Sequence, residues 1–194
     1  MENILKIINL PLQNNDIRGL RTGDIFYLCG TLVTGRDEVY RRVIEEDIPS
    51  PVDLKGTAIY HAGPIVREAS ATSDFQLVSI GPTSSIRLEK WAADFIRETG
   101  VKIMIGKGGM GEKTTAACRE YGAIHCVYPG GCAVLGASQI EKIEGVFWQD
   151  LGMAECIWMM KTLQFGPLIV SIDTQGNNLF FENSAFYNQR RIIE

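Results

Sequence analysis

Short apolar runs that end at glycine or proline recur in the first half of the chain and predict strands. The runs cover residues 5–12, 24–33, 57–62 and 75–80. The second run is rich in β-branched and aromatic residues, which are typical of strands. Glycine permits unusual turn geometry and proline cannot extend a strand, so both mark element ends. Residues 38–46 have apolar side chains at helical spacing and predict a helix.

The middle of the chain alternates between helical and strand patterns. Apolar residues recur at helical spacing from Leu88 to Phe95, and Gly100 follows where a helix readily ends. Beyond this helix the pattern predicts a buried strand, a glycine-rich loop, a second helix and another strand. These four elements cover residues 101–105, 106–111, 113–121 and 123–128.

The last third of the chain is less regular. Residues 132–143 favour a helix. Residues 154–163 fit a helix or a strand, and we favour a strand, because Gly166-Pro167 predicts a turn into a further strand at residues 168–173. A turn at residues 175–178 precedes the final segment.

The order of these elements predicts one domain over residues 1–194. Strands at both ends and alternating strands and helices in the middle are typical of the α/β class, with a mixed sheet and flanking helices. A length of 194 residues is that of one ordinary domain. The polar, basic tail at residues 183–194 is expected to be a docked or frayed end.

Composition and charge exclude two broad classes of function. The net charge is −4, whereas a general nucleic-acid-binding protein carries a strong basic excess. No run of about 18 apolar residues predicts a membrane span. The N-terminus lacks the basic flank and long apolar segment of a signal peptide, so we expect a cytoplasmic protein.

Cysteine and histidine usage argues against a metal site built by this chain alone. The cysteines are five in number and form no CxxC pair, which favours buried thiols in a reducing compartment. They are Cys29, Cys118, Cys126, Cys132 and Cys156. With only His61 and His125 besides, a self-contained zinc site is not expected.

The stretch Gly81-Pro82-Thr83-Ser84-Ser85-Ile86-Arg87 predicts a strand, a tight turn and the start of a helix. Ser84 or Ser85 is suited to cap that helix. The first N–H groups of a helix attract anions. With Arg87 beside them, we expect a site for a carboxylate or phosphate, with Thr83 at the turn.

Three glycine-marked turns each carry one basic residue: Arg36, Arg87 and Lys107. In α/β sheets, ligands bind where strands end and open into loops at one edge. Arginine binds a carboxylate through two N–H groups, and lysine acts as a point charge. Three such cations at one edge suit a ligand with two carboxylates.

Each of these features also has a plain structural interpretation. One arginine beside a glycine is more often a solvated surface charge than a ligand-binding group. The loop at residues 106–111 lacks the P-loop spacing, and a solvated lysine and a phosphate cradle are equally favoured there. We interpret His61 as a core or hydrogen-bonded histidine.

Five motifs, in order, resemble the β subunit of class I, iron–sulfur fumarate hydratases. The related L(+)-tartrate dehydratase β subunit and the C-terminal domain of single-chain class I fumarases are similar. The motifs span almost the whole chain and are Thr34-Gly35-Arg36-Asp37, Tyr60-His61-Ala62-Gly63-Pro64, Gly81-Pro82-Thr83-Ser84-Ser85-Ile86-Arg87, Gly106-Lys107-Gly108-Gly109 and Ile172-Asp173-Thr174-Gln175-Gly176-Asn177.

The resemblance implies a fold, a reaction and a partner. The fold is a swivelling β/β/α domain, and the reaction is the reversible hydration of fumarate to (S)-malate by a hydro-lyase. A [4Fe-4S] cluster is held by three cysteines of a separate α subunit or N-terminal domain, and not by this chain. The family further implies a heterodimer with that subunit and a dimer of these composite units.

The resemblance also implies roles for four residues. Arg36 and Arg87 bind substrate carboxylate, Lys107 is a further carboxylate contact, and Thr83 is the catalytic base. Many members have a second threonine and then a glycine soon after this base, where this chain has serines and an isoleucine. Since a threonine hydroxyl is a weak base, an aspartate of the α subunit is implied as its activator. We therefore expect the chain alone to be inactive.

Two alternatives remain open at this point. The first is a tartrate dehydratase β subunit, whose substrate differs from malate by one hydroxyl. The second belongs to another class and is a non-catalytic anion-binding or assembly module that retains the fold.

Overall fold

The computed structural model describes residues 6–13, 16–68 and 75–191, which form nine strands and five α-helices. In chain order the elements are β1 (Ile7–Asn9), β2 (Ile25–Thr34), α1 (Asp37–Ile44), β3 (Ala58–Tyr60), β4 (Ile65–Glu68), β5 (Phe75–Ser79), α2 (Glu89–Thr99), β6 (Ile103–Gly106), α3 (Glu112–Tyr121), β7 (Ile124–Val127), α4 (Ala133–Ser138), β8 (Ile140–Phe147), β9 (Ile157–Ile172) and α5 (Leu179–Arg191). Short 3₁₀ turns lie at Ser85–Leu88 and Gln149–Leu151.

Seven of these strands form one mixed sheet in the order β1-β2-β3-β6-β7-β9-β8. The pairs from β1 to β7 are parallel, whereas β9 runs antiparallel to β7 and to β8. Strand β9 also pairs antiparallel with β2. Because β9 pairs with both β7 and β2, the strands β2, β3, β6, β7 and β9 close into a ring. The predicted mixed sheet is confirmed, and the closure is a feature that local patterns did not predict.

Alternate residues of the parallel strands supply two separate cores, as the period of two in a strand requires. Tyr60, Ile103 and Ile105 belong to a cluster inside the ring. Ile59 and Met104 belong to a second cluster between the ring and the helices. The strands therefore read as continuous apolar runs because both of their faces are buried.

Helices α1, α2 and α3 cover the outer face of the ring, as the helical spacing predicted. Tyr40 of α1 stacks on Phe95 of α2, with ring centroids 4.0 Å apart. Gly100 ends α2 with φ +67°, a conformation that glycine adopts at little cost. Among the residues that the structure describes, no helix has the length and apolarity needed to cross a membrane.

The strand at residues 75–80 forms as β5 but lies outside the large sheet. It pairs antiparallel with β4, a strand that the pattern did not predict. Residues 69–74 between them lie outside the described residues. The predicted strand before the segment that carries Thr83 is therefore confirmed, and it lies in this two-stranded sheet.

Two predictions for the last third are wrong. Only Ala133–Ser138 of the expected helix at residues 132–143 is helical, since the following residues pair with β9 as β8. The expected turn at Gly166-Pro167 does not form, and β9 continues through it. The side-chain amide of Gln139 bonds both the N–H and the carbonyl of Gly166, which replaces ladder partners at that point.

The ends of the chain differ less from expectation. The strand at residues 5–12 forms over Ile7–Asn9, and residue 5 lies outside the described residues. The tail is helical as α5, and residues 192–194 are not described. Phe180 docks the start of this helix against the glycine-rich loop, where a Cβ on Gly109 would come 2.7 Å from the ring.

Candidate active site

The carboxyl ends of β2, β3 and β6 meet at one edge of the ring, because these strands are parallel neighbours. Arg36 follows β2, His61 follows β3 and Lys107 follows β6. The edge is the kind at which α/β proteins bind ligands. The sequence-predicted residues Arg36 and Lys107 are thus brought to the same side of the molecule.

Thr83 lies across this edge on an extended segment that pairs with the ends of β3 and β6. Its N–H donates to the carbonyl of His61 at 2.6 Å, and its carbonyl accepts from the N–H of Lys107 at 3.0 Å. The N–H of Ser85 donates to the Lys107 carbonyl at 3.0 Å. Thr83 is partly exposed, and its hydroxyl has no hydrogen-bond partner among the described residues. That hydroxyl is therefore available to a ligand.

Ser84 and Ser85 do not cap a helix, so the predicted helix cap is wrong. Ser84 makes no side-chain cap bond, a 3₁₀ turn comes first, and the α-helix begins only at Glu89. The hydroxyl of Ser85 instead lies 2.9 Å from Nδ1 of His61.

His61 is a buried, hydrogen-bonded histidine, as interpreted from the sequence. Its Nε2 lies 2.8 Å from the hydroxyl of Tyr40, and its Nδ1 contacts Ser85. Burial, with a smaller contribution from nearby His125, holds the pKa of His61 well below its usual value. The neutral ring joins α1 to the segment that carries Thr83.

Arg36 is held by two groups that sequence patterns did not identify. Its Nη2 lies 3.1 Å from Oε1 of Glu155, and its Nη1 donates to the carbonyl of Ala154 at 3.3 Å. The Nε–H is buried and has no acceptor in the described part of the chain. Both partners lie in the turn before β9, far from Arg36 in sequence.

Arg87 reaches the same edge through a pair with Asp37. Its Nη2 lies 3.0 Å from Oδ1 of Asp37, the neighbour of Arg36. More than half of the Arg87 side chain is exposed, so solvent screening makes this ion pair weak. The other oxygen of Asp37 is buried without a donor among the described residues. Asp37 therefore holds Arg87 close to Arg36, because it follows Arg36 in the chain and pairs with Arg87.

Lys107 lies in a cleft of about 650 Å³ at this edge. Its ammonium group makes no hydrogen bond or ion pair with the described residues. Ser84 and Ile86 line the same cleft, together with Phe180 and Phe181 of α5. Glu155 and Asp37 each form an ion pair with one of the two arginines. Of the three predicted cations, Lys107 is therefore the one without an ion pair to a described residue.

The glycine-rich loop does not offer a helix N-terminus to a phosphate. The carboxylate of Glu89 accepts N–H groups of Gly111, Lys113 and Thr114 at 2.7, 3.1 and 3.2 Å. The start of α3 is therefore already occupied by an anion. This geometry favours the solvated-lysine alternative over the phosphate cradle.

The described residues do not provide a ligand set for a metal or cluster. No group of three or more histidine, cysteine or acidic side chains comes together within them. The cysteines are unpaired, and burial raises the pKa of the thiols of Cys118, Cys126 and Cys156. An iron–sulfur cluster does not fit the side chains that the described part of the chain brings together.

The chain that carries this edge matches a known protein family over nearly its whole length. Residues 2–183 match the family described as Fumarase C-terminus, and the chain belongs to that family. The resemblance to class I fumarate hydratases and their relatives is thereby confirmed.

Three relatives extend this assignment. The L(+)-tartrate dehydratase subunit beta of Escherichia coli K12 is 50% identical over 96% of this chain and 92% of its own length. The putative L(+)-tartrate dehydratase subunit beta of Methanocaldococcus jannaschii is 38% identical over 92% of this chain and 93% of its own length. The putative fumarate hydratase class I of Geobacillus stearothermophilus is 35% identical over 89% of this chain, which spans 33% of that protein.

Proposed function

We propose that this chain is the β subunit of a hydro-lyase that acts on a four-carbon hydroxy-dicarboxylate. L(+)-tartrate is the first candidate substrate, supported by the 50% identity to the Escherichia coli subunit. Fumarate, hydrated to (S)-malate, is the second, supported by the motif resemblance and the 35% identity to a putative fumarate hydratase. The observation that carries the proposal is the meeting of Arg36, Arg87, Lys107 and the Thr83 hydroxyl at one strand edge.

The three cations suit the charge that develops in a dehydration. The reaction removes a C–H proton next to a carboxylate and expels hydroxide from the neighbouring carbon. Negative charge grows on that carboxylate as the proton leaves. Cations fixed beside it stabilise the transition state more than the ground state, which is how electrostatic catalysis operates. Arg36, Arg87 and Lys107 are proposed to supply this stabilisation.

Thr83 is proposed as the group that takes the proton. Its accessible hydroxyl supports this role, but a hydroxyl needs activation to act as a base. The imidazole of His61 is engaged by Tyr40 and Ser85. The activating carboxylate is therefore proposed to come from a partner subunit, and the isolated chain is expected to be inactive.

The remaining parts of the proposal concern assembly. A cluster-bearing α subunit is proposed to hold a [4Fe-4S] group, since the described residues of this chain do not fit one. The names of the tartrate dehydratase relatives, each a subunit beta, support such a partner. A heterodimer, a dimer of heterodimers and a swivelling β/β/α domain over residues 1–194 complete the proposal.

Anaerobic co-expression with a candidate cluster-bearing partner tests the function. Tartrate dehydration and fumarate hydration are then measured side by side on the purified complex, with the isolated chain as control. We expect turnover by the complex and none by the chain alone. A complex that contains its cluster yet turns over neither compound would contradict the proposal and favour a non-catalytic anion-binding module.

A further inference from the structure

The guanidinium of Arg36 is fixed on one side by the turn before β9. Glu155 pairs with Nη2, and the Ala154 carbonyl accepts from Nη1. The fit is close, since a Cβ on Gly63 would come 2.8 Å from Nη1 and 2.5 Å from the Ala154 carbonyl oxygen. Only about one-fifth of the Arg36 and Glu155 side chains is exposed, so water screens this pair less than a surface pair.

Glu155 is itself held from a second direction. Its Oε2 accepts the N–H of Glu38 at 3.2 Å in the first turn of α1. Arg36 occupies the N-cap position of this helix and makes no side-chain cap bond. A carboxylate at a helix N-terminus is favourable because the first N–H groups lack partners within the helix. Glu155 thus caps α1 and pairs with the arginine that precedes it.

The turn that carries Glu155 is built to stay in place. The N–H groups of Glu155 and Cys156 donate to the carbonyl of Gly152 at 3.0 and 2.9 Å. The indole N–H of Trp158 donates to the carbonyl of Met153 at 2.9 Å. Since Cys156 and Trp158 are buried, the turn is anchored to the core of the ring.

We propose that Glu155 is a positioning residue for substrate binding. It holds the Arg36 guanidinium at a fixed place and leaves the Nη N–H groups that Glu155 and Ala154 do not use to bind a substrate carboxylate. The inference rests on the proposed function and deepens it, because it assigns a role to a residue outside the motifs that carry the cations.

Chemical labelling of Arg36 tests the contact without any assay of activity. The full-length chain is treated with phenylglyoxal, and modification of the Arg36 peptide is followed by mass spectrometry. We expect Glu155→Gln to label about threefold faster or more, because one charge-assisted bond is lost. Asp150→Asn is the matched control, since it breaks the pair between Arg42 and the exposed carboxylate of Asp150, which is close to Glu155 in sequence. Equal labelling of wild type and Glu155→Gln would overturn the inference.

Kinetics of the co-expressed complex test the consequence. We expect Glu155→Gln to raise KM about tenfold with kcat within about twofold, and Asp150→Asn to leave both unchanged. Glu155→Asp, which keeps the charge, should give a smaller rise in KM.

A purely structural role of Glu155 would lower the melting temperature without this difference between KM and kcat. An unchanged KM contradicts the inference, and a lowered KM would mean that Glu155 competes with substrate. If the wild-type complex turns over nothing, the proposed function fails while the labelling still decides the contact.

Discussion

The hydroxyl of Ser85 lies 2.9 Å from Nδ1 of His61, directly over Gly106 at the end of β6. The same histidine accepts the N–H of Thr83 through its backbone carbonyl. The contact between Ser85 and His61 therefore fixes the segment that presents Thr83 to the edge of the ring. It requires that position 106 carry no side chain.

Gly106→Ala should destabilise the fold by about 2 kcal/mol, the cost of overpacking a buried site. The new Cβ would clash with the Ser85 hydroxyl and lie 3.0 Å from His61 Nδ1. Urea unfolding measures the loss. Gly19→Ala is the control, because nothing lies within 4 Å of a Cβ there. Adding Ser85→Ala should recover part of the loss, and full additivity of the two substitutions would contradict the clash.

The free energy of unfolding should fall as the pH is lowered below about 6.5, the ordinary histidine pKa. Burial keeps the pKa of His61 well below that value and lowers that of His125 to about 3. Both rings stay neutral when folded and take up protons when unfolded, so each contributes a loss of up to about 1.4 kcal/mol per pH unit in this window. The two histidines destabilise the folded state least at pH values above the histidine pKa of the unfolded chain, where both states hold neutral rings.

Urea titrations at about pH 5 and about pH 7.5 measure this effect. His61→Gln removes one of the two buried rings and should reduce the pH dependence by about half. A pH dependence as steep in His61→Gln as in wild type would show that His61 is not the source.

Thr83→Ala should lower kcat of the assembled complex by about 10²- to 10⁴-fold, the usual contribution of a positioned acid or base. Its melting temperature should change little, since the Thr83 hydroxyl makes no hydrogen bond within the described residues. Thr83→Ser keeps a hydroxyl and should retain part of the activity. Turnover of Thr83→Ala equal to wild type would refute the base assignment.

Lys107→Gln should raise KM about tenfold while leaving stability unchanged, because the ammonium group has no partner in the described chain to lose. Lys113→Gln, on the first turn of α3, is the control for loss of one exposed positive charge. Steady-state kinetics of both variants at fixed ionic strength separate the loss of a substrate contact from the general loss of one positive charge. Equal KM values for the two variants would argue that Lys107 does not contact substrate.

Local structure was largely predictable from the sequence. Helices α2 and α3 begin and end close to their predicted bounds, since apolar spacing and Gly100 act over one or two turns. The set of cations was also recognisable, because Arg36 and Lys107 stand beside glycines and Arg87 follows the Gly81-Pro82 turn. Such signals depend on neighbours in the chain, and sequence patterns record those directly.

The sequence by itself thus determined most element types and the α/β class, and it singled out the cations and Thr83. Only the tertiary structure decided that β9 closes the ring and that Glu155 and Asp37 partner the arginines. Arg36 and Ala154 lie 118 residues apart, and no local pattern reports such a contact. The segment at residues 81–85 likewise pairs with the ends of β3 and β6 through backbone hydrogen bonds between residues that are more than 20 positions apart in sequence. Packing of distant segments, which local propensity does not encode, completes this edge.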